Sequence, residues 1–478
     1  MPEVQKFDLV ILGRGAAAFS AAIKASELSN GEMTIAMVGT GPLGGTCVNF
    51  GCVPSKYLLE VSHSVFYPMN PKMQGVSKTS VGFDFTKIME GLRSYVAKVR
   101  NSKYANVIGN YRNVKVLTGK GKFVDKKTIS ISDMDGREIA LVSGSKVIIA
   151  TGSRPKVPNI DGLTETGFLT SDTIWEINDL PESVAIIGGG AIGLEIGQAL
   201  LHFGSKVTVI ESLNSLLPQT EHEIGYALKK HLEAEGMKFV MGARVSKVSK
   251  SGRMKKVEVT TNFGSETVEV HEIVVATGRR PNTEYLNLKA AGVDTDQNGL
   301  IKTSLKMQTS AQGIFAAGDC VSKKIFLETL AAREGVIAVE SMFGEDVSID
   351  YNSTAWAVFT SPQVAVVGMK EDEFSARNGS CSCRVFSLEN LTKASIMGEK
   401  DGLIKMIVNP KNNKIVGMHI MAPNASDIIT EGAYSIKNGY TIDDVISTSH
   451  IFPSISEGVK LAAQSFIRDI SKMACCVE

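Results

Sequence analysis

One plan occurs twice along this chain, and no other feature restricts its fold as much. In "FDLVILGRGAAAFSAAIKA" (residues 7–25) an apolar strand runs into Gly13-x-Gly15-x-x-Ala18 and then an alanine-rich helix. In "SVAIIGGGAIGLEIGQALLHFG" (residues 183–204) a strand again precedes Gly188-x-Gly190-x-x-Gly193 and a helix. Glycine in such a turn lets the backbone approach a pyrophosphate, while the helix start offers N–H donors and positive potential. A lone turn of this kind is a weak signal. Here each is followed by a second shared segment, "VIIATGSRP" (residues 147–155) and "IVVATGRRPN" (residues 273–282). Two such units predict an α/β fold with two Rossmann-like dinucleotide-binding domains, and electron or hydride transfer between their ligands.

The residues after each turn bear on which nucleotide sits where. Strand "KVTVIE" (residues 206–211) ends in Glu211, close to the spacing at which an acid accepts hydrogen bonds from a ribose 2′-OH. A carboxylate there repels a 2′-phosphate, so it suggests NADH over NADPH. The matching strand of the first unit, "MTIAMVG" (residues 33–39), puts Gly39 where an acid is usual. Its ribose contact has to come from another group.

The chain has 478 residues, enough for two to four domains. Its net charge of +1 and lack of long basic blocks give no sign of nucleic acid or anionic lipid as a partner. No apolar run is long enough to span a bilayer. The N-terminus enters a strand at once, without a signal-peptide cleavage site, and seven cysteines are a sparse, odd set. These features together predict a cytoplasmic protein, where paired cysteines more often do chemistry or bind metal than hold a fold together.

"GGTCVNFGCVPSK" (residues 44–56) follows the first unit. Cys47 and Cys52 flank four residues at a predicted helix start, where the helix field and a nearby cation favour thiolate. Lys56 lies one turn beyond Cys52. No further Cys or His stands close enough in sequence to complete a structural zinc site.

This stretch resembles the redox-disulfide signature of the FAD-dependent pyridine nucleotide–disulfide oxidoreductases. "GIFAAGDC" (residues 313–320) is similar to the flavin-binding segment of that family. "AWAVFTSPQVAVVG" (residues 355–368) and "GMHIMAPNASDII" (residues 417–429) resemble its α+β C-terminal dimerisation domain. The resemblance implies an FAD domain over 1–155 that resumes at 283–346, an NAD(P) domain at 156–282, and a dimerisation domain from 347 to the end. It implies a homodimer whose active sites are shared between subunits. It places Gly13, Gly15 and Ala18 at the FAD pyrophosphate and Asp319 at the ribityl chain, with Gly45, Thr46, Thr151 and Gly152 also at this cofactor. Cys52 would be the thiolate against the flavin, and Cys47 the one exchanging with substrate. Lys56 would lie near flavin N5, paired with Glu195. Gly188, Gly190, Gly193, Glu211 and Gly278 would hold the nicotinamide cofactor.

Three further features concern the substrate. Disulfide reductases of this family carry a His-Pro pair and, four residues after the proline, a Glu. That dyad moves protons during dithiol exchange, a task for a group titrating near neutrality. In "HIFPSISEG" (residues 450–458) Pro453 and Glu457 keep the spacing, but Phe452 stands at the His position. Turnover of lipoamide or glutathione should therefore be poor. Secondly, "EGVKLAAQSFIRDISKMACC" (residues 457–476) resembles the tail of the mercuric-reductase branch, whose terminal thiols pass Hg(II) to the inner pair of the partner. Hg(II) is soft and prefers thiolates, between which it moves by ligand exchange. Thirdly, reducing a bound metal ion needs electrons but no general base. Cys47, Cys52, Cys475 and Cys476 are thus the expected mercury ligands, with small cellular thiols keeping them reduced. The alternatives are a dihydrolipoyl dehydrogenase-like disulfide reductase, a thiol-rich flavoprotein that sequesters mercury, and a tail that relays electrons to a large disulfide.

Some positions depart from the family pattern. Ala191 replaces the tyrosine often found over the flavin in the nicotinamide turn. Cys381 and Cys383 in "NGSCSCRVFS" read as a pair without further ligands, and Cys320 as a small packing residue.

Overall fold

The structure is a computed structural model that describes residues 3–262, 264–323 and 325–470. The chain divides into two compact units. The first comprises the segment up to Ser55, then Met89–Lys156 and Gly278–Asp350; the second comprises Lys56–Ile88, Val157–Thr277 and the chain from Tyr351 onward.

In the first unit, strand Val4–Leu12 lies between Ile35–Gly39 and Glu138–Ile149, parallel to both. Leu9, Val10, Ile11 and Leu12 are all buried, the continuous apolar run expected of a parallel strand covered on both faces. Ile314–Ala316, far along the chain, returns to this sheet beside Glu138–Ile149, with Ile314 opposite Val147. Helix Ala16–Leu28 buries Ala17, Ala18, Ala21, Ala22 and Ala25. Its small side chains let helix Glu328–Met342 approach so closely that a Cβ on Gly335 would lie 2.3 Å from the Ala17 carbonyl oxygen.

The two repeated Ala-Thr-Gly segments meet. Ser153–Pro155 and Arg279–Pro281 form a two-stranded antiparallel ribbon, with Arg280 opposite Arg154. The chain therefore leaves the first unit for residues 157–277 and re-enters it at one place.

The second unit contains a five-stranded parallel sheet ordered Lys238–Val240, Lys206–Ile210, Ser183–Ile187, Glu272–Val275, Leu169–Thr170. Strand Ser183–Ile187 feeds helix Ala191–His202 through the second glycine turn. An antiparallel meander, Arg244–Ser251, Met254–Thr261 and Gly264–Val270, accompanies the sheet. A separate five-stranded antiparallel sheet runs Trp356–Val358, Gln363–Gly368, Ile415–Ala422, Leu403–Val408, Ser382–Ser387. Its core joins Phe386, Ile404, Met406, Met418 and Ile420 to Val459 and Ala462 of helix Glu457–Gln464.

Candidate active site

The first glycine turn is shaped by backbone proximity. Gly13 has φ +149°, and a Cβ there would sit 2.1 Å from the Ala150 carbonyl oxygen. Gly15 caps helix Ala16–Leu28, and Ala18 is fully buried beneath it. Gly45, at φ +63°, packs on Gly15 so tightly that a Cβ would come within 2.6 Å of the Gly15 Cα. The two glycines thus seat the dithiol segment on the start of the first helix.

Cys47 lies in the short helix Gly45–Asn49, and Cys52 opens helix Cys52–Met69. Cys52 is exposed and Cys47 half-buried. The thiols are hydrogen-bonded to each other. That bond, then burial, then the charges of Cys52 and Glu328 push the Cys47 thiol far above its ordinary range. One proton is thereby held on Cys47 while the amide groups at the helix start favour negative charge at Cys52. The arrangement is an asymmetric dithiol with one proton and one accessible nucleophilic sulfur.

Several residues that build this segment were not singled out from sequence. Asn49 is buried and donates from Nδ2 to the carbonyls of Leu43 (3.0 Å) and Gly45 (2.8 Å). Its Oδ1 accepts from Arg100 Nη1 at 3.1 Å. Arg279 donates from Nε to Ser153 Oγ (2.8 Å) and from Nη2 to Ser153 O (2.8 Å) and Thr46 Oγ1 (3.4 Å). Ser153 Oγ in turn donates to Asp319 Oδ2 at 2.8 Å. The Ser and Arg that distinguish the two Ala-Thr-Gly segments therefore connect Asp319 to the dithiol loop. Both lie inside a motif that sequence had flagged, but only folding pairs them.

This cradle fits an FAD pyrophosphate and its flanking groups. Gly13 leaves no room for a side chain, and the buried Thr151 Oγ1 has no hydrogen-bond partner among the described residues. Where sequence left the ribose contact open at Gly39, the Arg14 side chain covers the strand end. A Cβ on Gly39 would meet Arg14 Cγ at 3.1 Å, and the guanidinium bonds Gly41 O (3.2 Å) and Thr118 Oγ1 (2.6 Å).

In the second unit, Lys56 Nζ is 2.6 Å from Glu195 Oε2 and 4.3 Å from the centre of the Phe359 ring. The Phe359 N–H donates to Glu195 Oε1 at 2.9 Å. Both oxygens of this buried carboxylate are engaged, and the Lys56 ammonium, expected as a cation near the thiolate, is committed to it. Lys56 nonetheless stands one turn from Cys52 on the same helix.

The second glycine turn has the same tight geometry. Gly188 has φ +112°, Gly190 caps helix Ala191–His202, and a Cβ on Gly193 would lie 2.2 Å from the Gly188 carbonyl oxygen. Gly278 has φ +96°. Glu211 is buried; its Oε2 accepts from the Gly189 N–H (2.6 Å) and its Oε1 from the Leu213 N–H (2.8 Å). The acid thus holds the turn as well as ending the strand.

His450, two residues before Phe452, is held by another carboxylate. Its Nε2 lies 2.7 Å from Glu431 Oε1, a contact that raises its pKa. Glu457 Oε2 is buried with no hydrogen-bond partner among the described residues, and burial raises the pKa of this carboxyl. Cys320 is fully buried, as a packing residue should be. Cys381 and Cys383 do have a neighbouring candidate ligand, contrary to expectation: the Glu371 carboxylate, brought alongside by the fold. Cys475 and Cys476 lie outside the described residues. No helix among the described residues is long and apolar enough to cross a membrane.

Residues 7–335 match the sequence profile of the pyridine nucleotide-disulphide oxidoreductases, and residues 354–463 that of their dimerisation domain. The chain is 36% identical over 470 residues to a mercuric reductase of Lysinibacillus sphaericus, covering 98% of this chain and 84% of that one. It is 34% identical over 470 residues to a mercuric reductase of Staphylococcus aureus, with the same coverage. Among solved structures, LpdA from Mycobacterium tuberculosis superposes with a TM-score of 0.85 at 24% identity, covering 97% of this chain and 100% of that one. A Cu(II) complex of the HOCl-induced flavoprotein disulfide reductase RclA from Escherichia coli gives 0.85 at 23% identity, again covering 97% and 100%.

A repeated dinucleotide fold with a dithiol on a helix start defines an FAD-dependent NAD(P)H oxidoreductase. The chain belongs to the class I pyridine nucleotide–disulfide oxidoreductases, and within them it is related to mercuric reductases. Its dimerisation domain supports oligomeric assembly.

Proposed function

We propose that this protein reduces Hg(II) to Hg(0) with NAD(P)H, using Cys47 and Cys52 as the inner thiols that hold the ion. The observation that carries this reading is the broken dyad: Phe452 replaces the proton-carrying histidine, and Glu457 keeps no hydrogen-bonding partner among the described residues for its buried Oε2. A disulfide substrate needs that proton relay; a metal ion does not. The names of the mercuric-reductase relatives point the same way.

Cys47 and Cys52 bind Hg(II) as two thiolates, and Cys47 releases its retained proton as the metal–sulfur bond forms. Gly13, Gly15, Thr151 and Asp319 would hold FAD, which would supply a two-electron carrier between NAD(P)H and the ion. Hg(II) leaves as Hg(0), and both sulfurs keep their electron pairs. In sum, Hg(II) and NAD(P)H give Hg(0), NAD(P)+ and a proton. Lys56, one turn beyond Cys52 on its helix, forms a fixed ion pair with Glu195 and would lie near flavin N5. Glu211 disfavours a 2′-phosphate. The tail thiols, Cys475 and Cys476, deliver mercury to the inner pair of a partner subunit in a homodimer.

The test compares coenzyme oxidation with mercuric ion in excess small thiol against oxidation with lipoamide, each with NADH and with NADPH. The expected result is faster turnover with mercury, volatile mercury in the headspace, and preference for NADH. Faster turnover with lipoamide would establish the disulfide-reductase reading. Mercury binding without volatilisation would establish sequestration, and a strong NADPH preference would remove the role given to Glu211.

A further inference from the structure

Among the described residues, one group of three metal-ligating side chains comes together: Glu371, Cys381 and Cys383, whose ligand atoms all lie within 4.8 Å of one another. Glu371 opens the helix Glu371–Asn378. The chain then turns through Gly379, at φ +90°, and enters the edge strand Ser382–Ser387. Cys383 lies in the strand and Cys381 just before it. Their sulfurs are 2.6 Å apart, and both residues are half-buried.

The electrostatics favour a cation. Lys405, buried in the adjacent strand, is surrounded by Glu221 (2.9 Å), Glu223 (2.9 Å) and Glu371 (2.7 Å). Three carboxylates face the Lys405 ammonium and the Arg384 guanidinium, which donates to the Cys383 carbonyl oxygen at 2.9 Å, so one carboxylate is in excess beside the thiols. Burial, then the hydrogen bond with Cys381, then the charges of Cys381 and Glu371 push the Cys383 thiol well above its ordinary range, against the opposing charge of Lys405.

We propose that Cys381 and Cys383, with the Glu371 carboxylate as third ligand, form a binding site for a soft divalent cation, separate from Cys47 and Cys52. Two thiolates and one carboxylate suit filled-shell ions such as Cd(II) and Hg(II). Metal–sulfur bonds of about 2.3 Å or longer require the sulfurs to open by roughly 1 Å, which side-chain rotation supplies. Binding releases the thiol protons of Cys381 and Cys383 to solvent as the two metal–sulfur bonds form, and no electrons move. The site depends on local geometry alone and stands or falls independently of the mercury-reducing activity.

The probe is Cd(II) alone, added to the reduced full-length flavoprotein under anaerobic conditions. Equivalents retained through gel filtration against a competing small thiol are counted, together with the thiolate-to-cadmium absorption. The Cys381→Ser/Cys383→Ser variant should retain one equivalent fewer than the wild type. The Cys47→Ser/Cys52→Ser variant should still bind at the outer site. Glu371→Gln should keep the stoichiometry but weaken that equivalent about tenfold. If the double outer variant fails to hold FAD, Cys381→Ser alone carries the test. Unchanged cadmium uptake in the outer variants would overturn the proposal.

Discussion

At the scale of single residues, Glu235 shows how a buried carboxylate is kept charged. Burial alone would raise its pKa, but hydrogen bonds from His202 and His231 and the donor of Gln198 pull it down to about 2. His202 Nε2 lies 3.1 Å and Gln198 Nε2 2.8 Å from Glu235 Oε2. A depressed carboxylate stabilises the fold above its unfolded pKa of 4.5, and that stabilisation disappears as pH falls toward 2. The full effect is on the order of 3 kcal/mol. Melting temperature followed from pH 5 to pH 3 should fall more steeply in the wild type than in Glu235→Gln. Parallel slopes would show that this carboxylate carries no linked stability. The contact was not legible in sequence, because Gln198 and His202 come from one helix and Glu235 from the end of another.

At the scale of elements, the two glycine turns were legible because their constraints are local. A strand, a turn that excludes side chains and a helix start are all written within a short window, as Gly13 and Gly188 show. The dithiol loop was legible only in outline. Cys47 and Cys52 stood out by spacing, whereas Asn49, two residues from Cys47, gave no signal, since its partner Arg100 lies 51 residues away. The expected consequence of Asn49→Ala is a loss of about 1 kcal/mol, because the half-buried carbonyls of Leu43 and Gly45 lose their donor. Denaturant unfolding measures the loss, and thiol-modification rates at Cys47 and Cys52 should rise as the loop loosens. Unchanged stability and unchanged thiol reactivity would show that the loop is held by other contacts. Glu371 was illegible as a neighbour of Cys381 for the same reason: a helix and a glycine turn separate them in sequence before the strand brings them together.

For the whole molecule, the central prediction concerns the terminal thiols. Replacing Cys475 and Cys476 with Ala should slow turnover severalfold when mercury arrives as a bulky dithiol complex. The effect should be smaller when it arrives with small ligands. Stopped-flow coenzyme oxidation with both donors measures the difference, and equal rates with each would remove the hand-over role. The repeated units were legible because each rests on a pattern within its own segment, whereas the C-terminal domain was expected only from its resemblance to the family. The return of Ile314–Ala316 to the first sheet was not, since three residues carry no register of their own. The ribbon of Ser153–Pro155 and Arg279–Pro281 makes that return cheap in entropy. With Pro155 opposite Arg279, the long excursion between them starts and finishes like a hairpin. The interrupted sheet can therefore close without waiting for the intervening chain to search for its ends, and the excursion can vary in length without disturbing the strands it departs from.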